Sequence, residues 1–268
     1  MSSFSVDKLN FNYNNKQILN DITFKIKVPS LISVVGPNNS GKTTLIKCLS
    51  GVLPTEDVIS IDDTLLSKKT IRKYSRSVGE VFSGDVKQFL FSRVLDEITF
   101  PLCNLNYSKK KIKDQAKYIS KLLFIESILN KSTGELTKLE KIKVLIANNI
   151  IHHPKVLLLD DILVGLSRDE KENILLLLKR VIREMQIIVF MTTSNLEDAI
   201  YSDALLILDQ GTIRYSGRLS DILEHDNALT KMGIEIPIMM DMSLKLKFYD
   251  LLNQVILSEE EMVDALWD

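Results

Sequence analysis

Eight consecutive residues, Gly36-Pro37-Asn38-Asn39-Ser40-Gly41-Lys42-Thr43, fit the spacing G-x-x-x-x-G-K-[ST] at every fixed position. A loop of this kind turns backbone N–H groups inward. With the positive end of the helix it opens, it forms a concave seat for a di- or triphosphate. Lys42 is the residue that reaches the β- and γ-phosphates, and Thr43 supplies a hydroxyl for a divalent metal. Farther along, the apolar run Val156-Leu157-Leu158-Leu159 ends in two carboxylates, Asp160-Asp161. Such oxygens suit Mg²⁺: Asp160 is expected to hold the water shell of that ion and Asp161 to face an attacking water. These are the parts needed to bind and cleave a nucleoside triphosphate.

The neighbouring elements are those that place such groups. Leu31-Ile32-Ser33-Val34-Val35 reads as a strand buried on both faces, and Thr44 to Ser50 as a helix closed by Gly51. Val156 to Leu159 reads as a second buried strand, its end emerging beside the phosphates. Ahead of the loop, Phe4 to Phe11 and Ile18 to Val28 read as strands around a polar turn at residues 12–16. The period of two in Ile22, Phe24, Ile26 and Val28 predicts a half-buried antiparallel sheet. Tyr13 has two readings, stacking on a nucleotide base or packing on its own sheet. Val58 to Ile61 and Ser77 to Phe82 are further strands, the second followed by a loop from Ser83 to Gln88. From about 89 to 150 the pattern turns helical. Ser108 with Lys109, Lys110, Lys111 and Lys113 reads as a solvated helix start, with proximity to a membrane as the lesser reading. Thr137-Lys138-Leu139-Glu140 has the capping-box form, so a helix starts there and runs to Ile150. A helix from Arg168 to about Met185, a strand at 187–191, the polar run Thr192-Thr193-Ser194-Asn195, and strands at 204–208 and 212–215 complete the core.

Bulk properties narrow the function class. The chain has 268 residues, 45% of them hydrophobic, and its 34 basic and 35 acidic residues leave a net charge of −1. No overall field points to nucleic acid. Cys48 and Cys103 lie in apolar runs without metal-like spacing and read as packed free thiols in a reducing compartment. The first residues lack a basic-then-apolar leader, and no window approaches eighteen consecutive apolar residues. The expectation is a chain neither exported nor membrane-spanning.

The order of parts resembles the ATP-binding subunit of ABC transporters over nearly the whole of residues 1–220. Tyr13 falls where that family has its adenine-stacking aromatic, 36–43 on its Walker A loop and Val156 to Asp160 on its Walker B strand. Leu136-Thr137-Lys138-Leu139-Glu140 falls on the signature LSGGQ, and Val164-Gly165-Leu166-Ser167 on the D-loop. The resemblance implies an α/β fold of the P-loop NTPase (RecA-like) kind. It has an N-terminal antiparallel β subdomain, an inserted α-helical subdomain over about 89–150 and a C-terminal helical extension over 221–268. It also implies ATP and Mg²⁺ as ligands: residues 36–43 and Thr44 with Tyr13 on the nucleotide, Thr43, Asp160 and Ser83 at the metal, and Thr137 and Lys138 toward a partner's phosphate. Val78 to Ser83, Gln88-Phe89, Val94 to Asn104 and the tail segments 233–237 and 257–266 are similar to energy-coupling factor transporters, which import vitamins and transition metals. That likeness implies a peripheral subunit on the cytoplasmic face of the membrane. Its partners would be a second ATP-binding subunit, a transmembrane coupling protein and a substrate-binding membrane component. In the tail, Met240, Leu244, Phe248, Leu251, Leu252 and Val255 share one helical face, and Ser258 with Glu261 forms another capping box ahead of Leu266 and Trp267. This face packs on its own core or on a second subunit.

Departures from the family pattern cluster around the phosphate seat. Asp161 replaces the general-base glutamate and is one methylene shorter, Thr193 replaces the switch histidine, and Ser83 replaces the Q-loop glutamine. Lys138 and Leu139 stand for the two signature glycines, and Asn39 for a Walker A glycine, a mild change because asparagine tolerates positive φ. Thr137 either contacts a phosphate or serves only as a helix cap. The pattern implies firm binding of Mg-ATP and weak hydrolysis at the chain's own site, in a heterodimer with a different ATPase. A non-hydrolysing module whose ATP stabilises assembly is the alternative, and a soluble P-loop kinase, for which no arginine-rich lid is seen, is a third.

Overall fold

The computed structural model describes residues 3–55, 57–84, 89–252, 255–256 and 262–265. Its N-terminal hairpin joins β1 (Phe4–Tyr13) to β2 (Lys16–Ile26) through a turn whose Asn14 takes φ 51. Strands β4 (Ile59–Ile61) and β5 (Thr64–Leu65) extend it into an antiparallel sheet of order β2-β1-β4-β5. Alternation along β1 is broken between Val6 and Leu9, where Lys8 adopts φ 52. The bulge keeps Lys8 outside and returns Leu9 to the face already buried by Phe4 and Val6.

The second sheet runs β10-β9-β3-β8-β7-β6, with β3 (Leu31–Val35), β6 (Val78–Phe82), β7 (Val156–Asp160), β8 (Ile188–Thr193) and β9 (Ala204–Asp209) parallel and β10 (Thr212–Gly217) antiparallel to β9. Every residue of β3, β7 and β8 is buried, as expected for strands covered on both faces. The period of two sorts their side chains. Leu157, Leu159, Val189 and Met191 pack under the larger helices, while Val156, Leu158, Ile188 and Phe190 face α1 (Lys42–Ser50) and the small sheet. Phe190 joins the two sheets by packing against Phe4 and Phe24, at ring separations of 5.1 and 5.7 Å. One strand, β8, lies between the strand that leads into the phosphate loop and the strand that carries the carboxylates. Its C-terminal end therefore falls between them.

After the short α2 (Ile71–Ser75), three helices form the layer over residues 94–150: α3 (Val94–Asn104), α4 (Lys109–Leu122) and α5 (Lys138–Ile150). Pro101 sits inside α3 and has no N–H to give the carbonyl of Glu97 four residues back. Asn148 of α5 supplies it instead, Nδ2 donating to that oxygen at 2.6 Å, so the proline becomes a tie between two helices. The long amphipathic α6 (Arg168–Met185) completes the layer, starting from a capping box of Ser167 and Glu170.

The helices α7 (Leu219–Leu223), α8 (Asp226–Lys231) and α9 (Ile238–Phe248) follow β10. Here the structure corrects the expected single helical face. α9 stops at Phe248, Asp250 turns the chain with φ 58, and Ser243 Oγ accepts the N–H of Ile256 at 2.6 Å. The fold-back packs Leu252 and Ile256 against Met239 and Leu246, while Met240 is buried beside Ile222 and Ile234, and it leaves Phe248 81% exposed and Leu251 exposed. Ser258, Glu261, Leu266 and Trp267 lie outside the described residues.

Candidate nucleotide site

The phosphate loop leaves β3 at Gly36, whose N–H donates to the carbonyl of Thr193 at 3.3 Å. A Cβ on Gly36 would lie 2.2 Å from the carbonyl oxygen of Leu208, so only glycine fits against β9. Asn39 takes φ 65, in the left-handed region that asparagine tolerates, and Gly41 takes φ 108 as the N-cap of α1. No side chain caps that helix and no acid occupies its first turn, so its leading N–H groups are left for an anion. Ser40 is buried, and its hydroxyl has no hydrogen-bond partner among the described residues. Lys42 lies across the loop, its buried ammonium donating to the carbonyls of Gly36 at 2.7 Å and Pro37 at 3.0 Å. Burial pushes its pKa down, and the nearby Asp161 and Asp160 oppose that shift. An uncapped helix end, an orphaned buried hydroxyl and a buried cation fit the phosphates of a nucleotide. Thr44 follows in the first turn of α1, half-buried.

Thr43 Oγ1 donates to Asp160 Oδ2 at 2.8 Å, joining two oxygen ligands of the kind Mg²⁺ takes. The other oxygen of Asp160 accepts the hydroxyl of Thr192 at 2.7 Å, and the same hydroxyl accepts the N–H of Asp161 at 2.9 Å. Asp161 is half-buried with φ 50. Burial and the adjacent Asp160 hold its pKa above the ordinary carboxylate range, against the pull of Lys42 and the Thr192 hydroxyl. Ser83 is exposed and follows Phe82, the residue paired in register with Asp160. Gln88 lies outside the described residues.

Thr193 is brought to the loop through its backbone, but its hydroxyl is engaged elsewhere. It donates to Asp198 Oδ2 at 2.8 Å and accepts from the N–H of Asn195 at 3.1 Å. Asp198 is itself buried, and its other oxygen takes Lys171 Nζ of α6 at 2.9 Å. Lys171, Asp198 and Thr192 carry no motif spacing. The available signal was the position of Thr192 at the end of a strand lying between the loop and the carboxylates.

Thr137 and Lys138 stand at the start of α5. Thr137 Oγ1 accepts the N–H of Glu140 at 3.2 Å, and Glu140 Oε2 accepts the N–H of Thr137 at 2.8 Å. Lys138 Nζ donates to the carbonyl of Val164, in the loop that follows Asp161. Gly165 makes room for it, with φ 71 and an ideal Cβ only 2.8 Å from that ammonium. Tyr13 is 44% exposed, its ring packed at 84° and 5.0 Å from Phe11. One side therefore rests on its own sheet and the other is open. A cleft of ≈ 490 Å³ on the flank of the loop is walled by Pro37, Asn38, Asn195, Glu197, Glu235 and Ile238, among others. Its two carboxylates disfavour a triphosphate, and the loop with its uncapped helix end is the candidate phosphate seat.

The chain is similar to known proteins over most of its length. The chain is 29% identical over 266 residues to the energy-coupling factor transporter ATP-binding protein EcfA1 of Ligilactobacillus salivarius, covering 97% of this chain and 94% of that protein. To the EcfA1 of Lactiplantibacillus plantarum it is 26% identical over 251 residues, 93% of this chain and 89% of the relative. Among solved structures it is similar to CbiO1 of Clostridium perfringens, described as part of the ABC transporter complex CbiONQ. That likeness has a TM-score of 0.78 at 26% identity over 87% of this chain and 95% of the other. MJ1267, an ATP-binding cassette of an ABC transporter solved in its ADP conformation, shares the fold at a TM-score of 0.75 and 19% identity, over 88% of this chain and all of that one. The family model described as ABC transporter matches residues 19–164, a span that includes the loop, Lys42, Thr43 and both carboxylates. With more than half of its length matched by that family's model, the chain belongs to the ABC transporter family.

Proposed function

We propose that the chain is an ATP-binding subunit of an importer of the energy-coupling factor type, binding Mg-ATP at residues 36–44 and coupling it to transport. Tyr13 flanks the base, and Thr43, Asp160 and Ser83 serve the metal. The observation that carries the reading is the Thr43–Asp160 pair directly beneath the uncapped N-terminus of α1. The EcfA relatives and CbiO1 support it by likeness. Among the described residues no helix is long and apolar enough to cross a membrane. In this reading the site acts on transport through partners, as the names of the relatives support: a second, different ATP-binding subunit, a transmembrane coupling protein and a substrate-binding membrane component, with this chain peripheral on the cytoplasmic face. Hydrolysis at its own site is slow, because Asp161 is short and the Thr193 hydroxyl is turned to Asp198.

The test is uptake by the assembled complex carrying Lys42→Ala here or the equivalent change in the second ATPase. Impaired uptake with Lys42→Ala in an intact complex is expected. Uptake unchanged by it would sink the reading. The engaged Thr193 favours one variant of this function, in which ATP binding here drives closure and hydrolysis belongs to the partner. That variant predicts uptake lost with Lys42→Ala but kept with Asp161→Asn.

A further inference from the structure

The geometry points to Thr192 as a positioning residue for the metal-bound nucleotide: its one hydroxyl orients the Asp160 carboxylate toward Thr43 and pins the backbone of Asp161. This rests on the Mg-ATP reading above and adds to it a residue outside the motifs that define the site.

A carboxylate turns easily about its last side-chain torsion, and its plane is fixed only by what it binds. In Asp160 the two oxygens are held separately, Oδ2 by Thr43 at 2.8 Å and Oδ1 by Thr192 at 2.7 Å. The two holds are compatible with a metal: a Thr43 hydroxyl that offers a lone pair to a cation keeps its proton for Asp160 Oδ2. Thr192 fixes the oxygen that Thr43 does not hold, so the plane of the carboxylate is set only when both bonds are made. A threonine hydroxyl has one proton to give and two lone pairs to accept with. Thr192 uses both functions, donating to Asp160 and accepting the N–H of Asp161.

That second bond matters because Asp161 stands at φ 50, a region rarely occupied by residues with a Cβ. Its short side chain reaches from wherever this backbone is held. Thr192 is 1% exposed at the end of β8, the strand between the phosphate loop and β7, so no water competes for these bonds.

A merely structural hydroxyl would affect stability without regard to metal, and this distinguishes the two roles. ATP affinity of the full chain is measured calorimetrically with Mg²⁺ and with EDTA, alongside thermal unfolding without nucleotide. Thr192→Val, which keeps shape and removes the hydroxyl, is expected to weaken binding about tenfold with Mg²⁺ and to leave the EDTA value near wild type. Thr192→Ser is expected to restore the Mg²⁺-dependent affinity. Equal weakening in both conditions, or no weakening in either, overturns the inference. Wild-type protein that binds ATP no better with Mg²⁺ than with EDTA overturns it together with the metal reading beneath it. If the valine protein does not fold, Thr192→Cys carries the same test, because a thiol donates only weakly. The same Mg²⁺-specific loss supports the inference, and unchanged Mg²⁺ dependence overturns it.

Discussion

The N-termini of α1 and α5 present the same backbone donors, yet the side chains around them treat those donors in opposite ways. At α1 the cap is a left-handed glycine, no acid sits in the first turn, and the ammonium of Lys42 lies across the loop. At α5, Thr137 and Glu140 satisfy each other's N–H groups, Lys131 holds Glu140 at 3.0 Å, and Lys138 is drawn away to the carbonyl of Val164. The first end is open to an anion, whereas the second is closed by its own chain and carries a negative charge. α6 is closed in the same manner by Ser167 and Glu170. The contrast sets a helix end left open to an anion against one whose donors are taken by its own side chains.

Removing the cation from the open end should have the largest effect. Lys42→Ala is expected to weaken ATP binding by about a hundredfold or more, since hydrogen bonds from a charged donor to phosphate are among the strongest available. The change is read by calorimetry on the isolated chain, and a loss of less than about threefold would mean that the loop N–H groups suffice alone. Next in size is repair of the chemistry beside it. Asp161→Glu together with Thr193→His is expected to raise the ATPase rate of the assembled complex about tenfold, within the range that a positioned base contributes. An unchanged rate would shift the limitation to α5, where Lys138 and Leu139 stand for glycines, or to the loop Val164-Gly165-Leu166-Ser167. The two changes act as a unit, so each alone is expected to show little. Thr193→His also removes the hydroxyl that satisfies Asp198 and Asn195, at a cost of about 1–3 kcal/mol in unfolding free energy, measured by urea titration.

Both helix ends were legible in the sequence because caps and phosphate loops are local: Gly41 and Thr137 act on residues within one turn of themselves. β3 and β7 were equally legible as short apolar runs, and α6 spans the expected Arg168–Met185. Contacts set by strand order or by chain reversal were not. Thr192 meets Asp160 only because β8 inserts between β3 and β7, and Lys171 meets Asp198 across 27 residues of sequence. Lys138 finds Val164 because α5 and the loop after β7 converge. The end of α9 was missed for a similar reason, since the apolar spacing runs past Phe248 while the hydrogen bond from Ile256 to Ser243 folds the chain back.

The smallest effects belong to the closed end and test whether it is closed for stability. Thr137→Ala is expected to cost about 1 kcal/mol, the usual value of a lost N-cap, in denaturant unfolding. Glu140 offers the finer test. The N–H of Thr137 and the ammonium of Lys131 hold its pKa below the ordinary 4.5. A carboxylate with a depressed folded-state pKa contributes its full stability above the unfolded value and loses it as pH falls through the folded one. The cap should therefore be intact at neutral pH and weaken only below about pH 4.5, with Glu140→Gln removing that part of the acid dependence. If Glu140→Gln instead strengthens the interaction of this chain with a nucleotide-loaded partner, measured as complex lifetime at neutral pH, then the charge at α5 is repelling the partner's phosphate. A lifetime unchanged by the substitution would show that the capping geometry, and not the negative charge, keeps this helix end from acting in trans.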